Sequence, residues 1–452
     1  MNSLHMHLTA FCRLSLPCAL LSILVLSSCV ENRPYRLKLA NNDVYDHKFP
    51  GQQAPTMPPK SGRKYRLSFV EFDEKGDFWD RAQLAIAASA IKRANKPVLL
   101  VVFIHGWHHN AADRPAGGGG DVETFQCLLS QLAASQSTSG LEVHGVYLGW
   151  RGRLVQGPLD YLTFLGRKAA ATRVAGTPVT ETIFELIRQA RRRSPSASKA
   201  VVIGHSFGAL VLEKAMAQAV AGSVLAQDAQ ARGASFNAPA DLILLVNSAS
   251  ESIYAKEMSD MLRAIGHRGH IRPDRPLFVS VTSESDSATS GWFPLGTFLP
   301  NLFARRHYDW GEGRGQTSND VSQHEYLTRT PGHNKLLFTH EIVPAGPAPL
   351  RKASRPECSG NNRAFEENLN HPQGLTFRTS TPSQSEDYEW WRFVARSDRK
   401  LTPYWVMHVP KAIIHQHAPI FTPEGCALMA ALFRITNPID QRGPRQMSVS
   451  SP

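Results

Sequence analysis

Residues 97–104 read Pro-Val-Leu-Leu-Val-Val-Phe-Ile, a run with no polar side chain. An unbroken apolar run this short suits a strand covered on both faces, the arrangement of parallel sheets. Strands are also read at 200–203, 240–247 and 275–282, and helical spacing follows 97–104 and the first two of these. Alternation of buried strand and helix predicts an α/β fold with a mostly parallel, doubly wound sheet.

A chain of 452 residues, 42% hydrophobic and 19% charged, can build one large α/β domain with insertions, or two domains. Further elements fit the first arrangement. Residues 65–72 alternate and read as a strand, 79–91 as a helix, 122–134 as an amphipathic helix and 141–150 as a strand that opens into a long loop. Residues 180–193 read as a helix with Thr180 as its cap, and 253–265 as another. From about 290 to 400 the alternation stops, in a stretch rich in Pro, Gly, Arg, Asn and aromatics. Its length argues for an insertion with local structure that packs over the catalytic face. Trp292, Phe293, Trp310, Trp390 and Trp391 in it are read as packing residues. Residues 402–409 then read as the last strand and 423–433 as a closing helix.

The formal net charge is +12, yet the basic residues are dispersed. The densest run, Arg191 to Arg193, closes a helix, where cations complement the dipole. No nucleic-acid motif is present. Arg13 is the one Lys, Arg, Asp or Glu in the first thirty residues, and 14–26 is apolar apart from two serines, the pattern of a signal-peptide core rather than a membrane span. Six cysteines at wide spacing give neither a disulfide framework nor a zinc pattern. Of the three beyond residue 29, a Cys358–Cys426 bridge and three buried thiols are both open.

The joint between the 200–203 strand and its helix carries chemistry. Gly204-His205-Ser206-Phe207-Gly208 places a serine on a tight strand-to-helix turn, with glycines where strand and helix must approach. A serine hydroxyl needs a base, and the base an orienting acid. Asp286, just past the strand two after the serine's, is the favoured acid, ahead of Glu251, Asp309 and Asp320. His417, between the last strand and the last helix, is the favoured base, ahead of His415. His408 falls within the strand, and His333 and His340 fall inside the insertion. His105, His108 and His109 follow the 97–104 run, but no H-E-x-x-H spacing supports a metal. His105 is read as bonding its own loop.

These segments resemble the α/β-hydrolase superfamily, specifically a largely uncharacterised group related to esterases and lipases. The likeness covers roughly 65–435 and rests on Phe103-Ile104-His105-Gly106-Trp107, residues 147–152, the serine pentapeptide, Leu245-Val246-Asn247 and residues 283–289. It implies an α/β-hydrolase fold with a large insertion before the last strand. It implies a Ser206, His417 and Asp286 triad, an oxyanion hole from the amides of Trp107 and Phe207, and hydrolysis of carboxylic esters without metal or cofactor. Thioester or amide cleavage with the same triad, and a non-catalytic binding or scaffold protein, are the competing readings. Leu26-Ser27-Ser28-Cys29 resembles the bacterial lipobox. That likeness implies a lipoprotein signal peptide over 1–28, lipid on Cys29, a flexible tether over 29–64 and an envelope location. Val30 at the next position points to the outer membrane in a Gram-negative source. The partners expected are a small-molecule or lipid ester and the membrane, with no nucleic acid. Oligomeric state is open, and 436–452 is expected to be a disordered tail.

Overall fold

The computed structural model describes residues 32–36, 65–112, 120–134, 140–155, 158–192, 194–230, 238–266, 276–294, 296–297, 323–345, 367–368, 376–379, 389–397 and 402–436. The apolar runs become the centre of one sheet. Its strands are β1 (Tyr65–Glu71), β2 (Val98–Ile104), β3 (Glu142–Gly149), β4 (Lys199–His205), β5 (Leu242–Val246) and β6 (Phe278–Ser283). They continue as β7 (His340–Pro344), β8 (Glu367–Asn368), β9 (Thr376–Thr379), β10 (Glu389–Ala395) and β11 (Tyr404–Val409). The spatial order is β1-β3-β2-β4-β5-β6-β11-β7-β10-β9-β8. Every pairing from β1 across to β7 is parallel, and β10, β9 and β8 continue antiparallel.

Helices cover both faces. On one lie α1 (Ala82–Lys92), α3 (Phe164–Val174), α4 (Thr177–Arg191), α5 (Phe207–Gln230) and α6 (Ser252–Gly266). On the other lie α2 (Asp121–Ala134) and α7 (Pro423–Thr436). All seven residues of β2 are buried, as are all of β5 and β6, because each strand is sandwiched between these layers. Each large apolar side chain so buried contributes about 1.5–3 kcal/mol. The chain steps from β2 outward to β3, then returns past β2 to β4. Strand order therefore reverses between β2 and β4, a switch point of the kind beside which open α/β sheets form their binding crevices, at the carboxyl ends of the strands. The strand order, the two helical layers and the strand–serine–helix turn together make the α/β-hydrolase fold. Among the described residues no helix is long and apolar enough to cross a membrane.

Several expectations are corrected. The long loop after β3 contains a 3-10 turn (Pro158–Thr163) and α3. The α3 segment hides its helical period because Arg167 occupies a buried position, held by Glu74 at 2.9 Å and by the Arg151 carbonyl at 2.9 Å. Thr180 is no cap: α4 starts at Thr177 behind Gly176, since Pro178 presets the first turn. Thr180 sits inside the helix and donates to the Gly176 and Ala215 carbonyls. The insertion is part of the sheet, because β7 pairs with β11 and, with β10, β9 and β8, widens it. Within it Phe293 and Trp391 are core residues, and Trp310 lies outside the described residues. Part of the expected tether is docked: the Tyr35 and Arg36 amides each donate to the Glu71 carboxylate at 2.8 Å. Cys426 is a free, buried thiol, so no Cys358–Cys426 bridge forms. Cys127 is disulfide-bonded, so the three are not all thiols. Cys29 and residues 437–452 also lie outside them.

One buried carboxyl went unread in the sequence. Glu213 on α5 accepts from the Tyr404 hydroxyl at 2.8 Å and from Ser250, which in turn meets Ser248 at 2.9 Å. Burial pushes its pKa up to about 7, against partial relief from those two donors. A carboxyl raised in the folded state favours folding below its unfolded pKa, and that contribution is lost as pH rises through the folded one. Glu213→Gln is therefore expected to remove a stability decline, on the order of 3 kcal/mol, that the parent protein shows between about pH 4.5 and 7. Denaturant melts across that range check it; parallel pH profiles for parent and variant would refute it.

Candidate active site

The crevice at the β2/β4 switch point holds the serine. Ser206 adopts φ +56° at the turn from β4 into α5, a left-handed conformation that costs a non-glycine residue about 1–3 kcal/mol. The surroundings hold it there. Its amide donates to the Val246 carbonyl at 3.0 Å, and its carbonyl accepts from Ala209, Leu210 and Ala249. No side chain fits at the flanking glycines: a Cβ on Gly208 would lie 2.2 Å from the Ile104 carbonyl oxygen, and one on Gly204 2.7 Å from the Ala209 Cα.

The three residues singled out as a triad come together. His417 Nε2 lies 2.8 Å from Ser206 Oγ, and His417 Nδ1 lies 3.0 and 2.9 Å from the two oxygens of Asp286. A carboxylate only accepts, so Nδ1 carries the proton and Nε2 turns its lone pair to the serine hydroxyl. Asp286 is fully buried. Burial opposes its ionisation, but the charge and hydrogen bond of His417 and the bonds from Thr289 outweigh it, holding the carboxyl below its ordinary range. The Ala288 and Thr289 amides also donate to it, so it caps its own loop while orienting the imidazole. Thr289 Oγ1 donates to Asp286 and meets His333 Nε2 at 2.9 Å, which places His333 one step behind the acid.

The other candidates stand elsewhere. Glu251 pairs with Lys168. His415 is exposed and offers its carbonyl to Ser285. His340 stacks on Trp405 at 3.8 Å, and His408 packs against Phe338 at 5.1 Å. Asp309 and Asp320 lie outside the described residues.

The loop after β2 closes the other side of the crevice. A Cβ on Gly106 would lie 2.7 Å from the Ser206 Cβ, so only glycine lets this backbone come so near. The amide of Trp107, next in the chain, and that of Phe207 after the serine donate to no other protein group among the described residues. The histidines of this loop diverge. His105 is buried and binds its own loop as expected: Nε2 accepts from the Trp150 amide at 3.0 Å, and Nδ1 donates to the Gly106 carbonyl at 2.9 Å. Burial lowers its pKa to about 4, which keeps it neutral. His108, at φ +70°, meets Asp160 at 2.7 Å, and His109 stands 3.6 Å from Asp121. Among the described residues no group of three or more His, Cys, Asp or Glu could hold a metal ion. Trp107, Phe164 and Phe207 form an aromatic wall beside the serine, with ring centroids 5.2–6.1 Å apart.

Two positioning residues escaped notice as such. Asn247, at φ +47° and fully buried, donates from Nδ2 to the carbonyls of Gln416 at 3.1 Å and His417 at 2.8 Å. Its Oδ1 accepts from the Ser283 amide at 2.9 Å, tying the ends of β5 and β6 to the histidine loop. His205 Nε2 donates to the same His417 carbonyl at 2.8 Å. Burial, and after it the nearby His417, lower the His205 pKa to about 4. The signal available was an asparagine ending an apolar strand, where αL geometry and a short amide are both useful.

No protein-family model matches the chain, and no curated protein matches it by sequence. Solved structures give faint likenesses. A cutinase-like protein from Cryptococcus sp. is 16% identical over 35% of this chain and 57% of its own, with TM-score 0.18. Phospholipase PlaB from Legionella pneumophila is 12% identical over 55% of this chain and 47% of its own, with TM-score 0.24. Trichoderma reesei cutinase is 16% identical over 38% of this chain and 69% of its own, with TM-score 0.17. The chain thus spans about half the length of the first two. Scores this low establish no shared fold, which rests here on strand order and connection. Removing the Asn247 clamp leaves the buried Ser283 amide without its acceptor, so Asn247→Ala is expected to cost about 1–3 kcal/mol in denaturant titrations. It should also speed amide exchange over 414–418, and unchanged exchange there would deny the clamp.

Proposed function

We propose that this protein is a serine hydrolase of carboxylic esters, held at a bacterial envelope membrane by lipid on Cys29. The observation that carries the enzymatic reading is the single imidazole of His417 bridging Ser206 Oγ and the Asp286 carboxylate. In this reading His417 Nε2 takes the serine proton as Oγ attacks the ester carbonyl. The carbonyl π-bond opens to an oxyanion, which the Trp107 and Phe207 amides receive; such donors are worth about 3–4 kcal/mol each in a comparable hydrolase. Asp286, ionised and dry, stabilises the imidazolium. His417 then gives its proton to the departing alkoxide as the ester C–O bond breaks, leaving an acyl-serine. A water, deprotonated by His417, attacks the acyl carbon and restores Ser206. The aromatic wall of Trp107, Phe164 and Phe207 offers the acyl chain an apolar surface beside the nucleophile.

The membrane reading rests on the Leu26-Ser27-Ser28-Cys29 pattern after an apolar core. Its location would be the outer membrane in a Gram-negative cell. Cys29→Ser should move the protein to the soluble fraction, and unchanged fractionation would overturn the anchor alone.

Labelling by a fluorophosphonate probe is expected in the parent protein and absent in Ser206→Ala. Asp286→Asn should lower turnover of p-nitrophenyl butyrate about 10,000-fold by freeing the wrong histidine tautomer. His417→Ala should fall by a similar factor. Full turnover in His417→Ala would assign the base elsewhere, and a parent protein inert to both probe and ester would overturn the hydrolase reading.

A further inference from the structure

Two features at the carboxyl end of the sheet converge on one surface. The first is an apolar rim. Tyr161, Leu162 and Leu165 are 54%, 82% and 50% exposed, on the 3-10 turn and the first turn of α3. Isolated exposed leucines are ordinary, but these three adjoin one another and the active-site mouth. Tyr161 meets the Trp107 ring at 5.9 Å, and Phe164 between the leucines turns inward to Trp107 and Phe207. The rim is built in: Asp160 at its base binds His108 at 2.7 Å and Arg153 at 3.3 Å.

The second is where the N-terminal segment docks. Tyr35 and Arg36 bind Glu71, the last residue of β1, and Arg36 Nε donates to the Ala111 carbonyl beyond β2 at 2.9 Å. Arg36 also lies over the Phe69 ring at 4.1 Å. The docking point is thus at the same end of the sheet as Ser206 and the rim. The loop after β1 spans the two, since Glu74 binds Arg167 of α3 at 2.9 Å. Trp79, 36% exposed, follows on that loop, its amide bonded to the Glu71 carbonyl. Cys29 precedes Tyr35 by six residues, a reach of at most about 20 Å. In the lipid-anchored reading, acyl chains on Cys29 enter the bilayer close to this end of the molecule.

We propose that the rim of Tyr161, Leu162 and Leu165 seats on the bilayer that carries the Cys29 lipid, so that the Ser206 crevice opens against the acyl layer. This rests on the anchored ester-hydrolase reading, and it narrows the substrate class to esters presented by the membrane itself. The short anchor and the rim act as two contacts that fix orientation, where either alone would leave the body free to rotate.

The test uses the full lipidated chain in vesicles of phosphatidylethanolamine and phosphatidylglycerol. A fluorescent amino acid is placed at position 162 or at position 96, an exposed site at the opposite end of β2. Nitroxide-bearing lipid is expected to quench position 162 and not 96. Equal quenching, none at 162, or lipid-independent shielding at 162 that grows with protein concentration would overturn the proposal, the last assigning the rim to a second copy. In parallel, Leu162→Ser with Leu165→Ser should keep turnover of soluble p-nitrophenyl butyrate and lose about ten-fold on a long-chain ester embedded in the vesicles. Equal rates of parent and variant on the embedded ester would also overturn it. Inactivity of the parent on both esters would instead sink the hydrolase reading, and quenching, which needs no turnover, would still decide the rim.

Discussion

The site depends on a steric constraint more than on any single bond. Ser206 sits at φ +56° because β4 and α5 meet with no room for a Cβ at Gly204 or Gly208, and the Gly106 backbone closes in from the neighbouring strand. That crowding spends backbone energy to aim one hydroxyl out of the sheet. It is sustained by the flanking strands: the serine amide and carbonyl are both taken up by the segment around the end of β5. Buried apolar runs on both sides supply the rigidity that such a strained turn needs.

The same logic explains what the sequence disclosed. Strands covered on both faces carry few polar side chains, so β2 and β5 announce themselves as unbroken apolar runs and with them the parallel sheet, while β6 buries Ser280, Thr282 and Ser283 among its apolar residues. The serine turn follows from glycines that nothing else could replace. Chain order then directs attention to Asp286 and His417, which the structure brings within hydrogen-bonding distance of one another and of Ser206. What stayed hidden was decided by tertiary partners. Arg167 breaks the apolar period of α3, and its compensation by Glu74 is legible only in three dimensions. Glu213 looks like any helical glutamate until Tyr404 and Ser250 enclose it. Asn247 and His205 act on a carbonyl contributed from the far end of the chain. The strands of the insertion carry no run long or apolar enough to stand out, because they lie at the sheet margin rather than its middle.

Electrostatics at the site separates its histidines. His105 and His205 are buried, kept neutral, and used as fixed hydrogen-bond donors to the backbone. His417 is partly exposed and shares a dry carboxylate. Identical side chains thus bind backbone carbonyls in two places and bridge a hydroxyl and a carboxylate in one.

β6 and β11 lie side by side although the whole insertion separates them in sequence. Asp286 and His417 therefore hang from adjacent strand ends, and the intervening chain is a detour that leaves and returns at the same place. Lengthening such a detour is thermodynamically mild, about 0.6 kcal/mol per doubling of a flexible loop. Changes of length within that detour leave the acid and the base at their spacing. The distance between acid and base is thus set by a strand pairing and not by the length of chain that joins them.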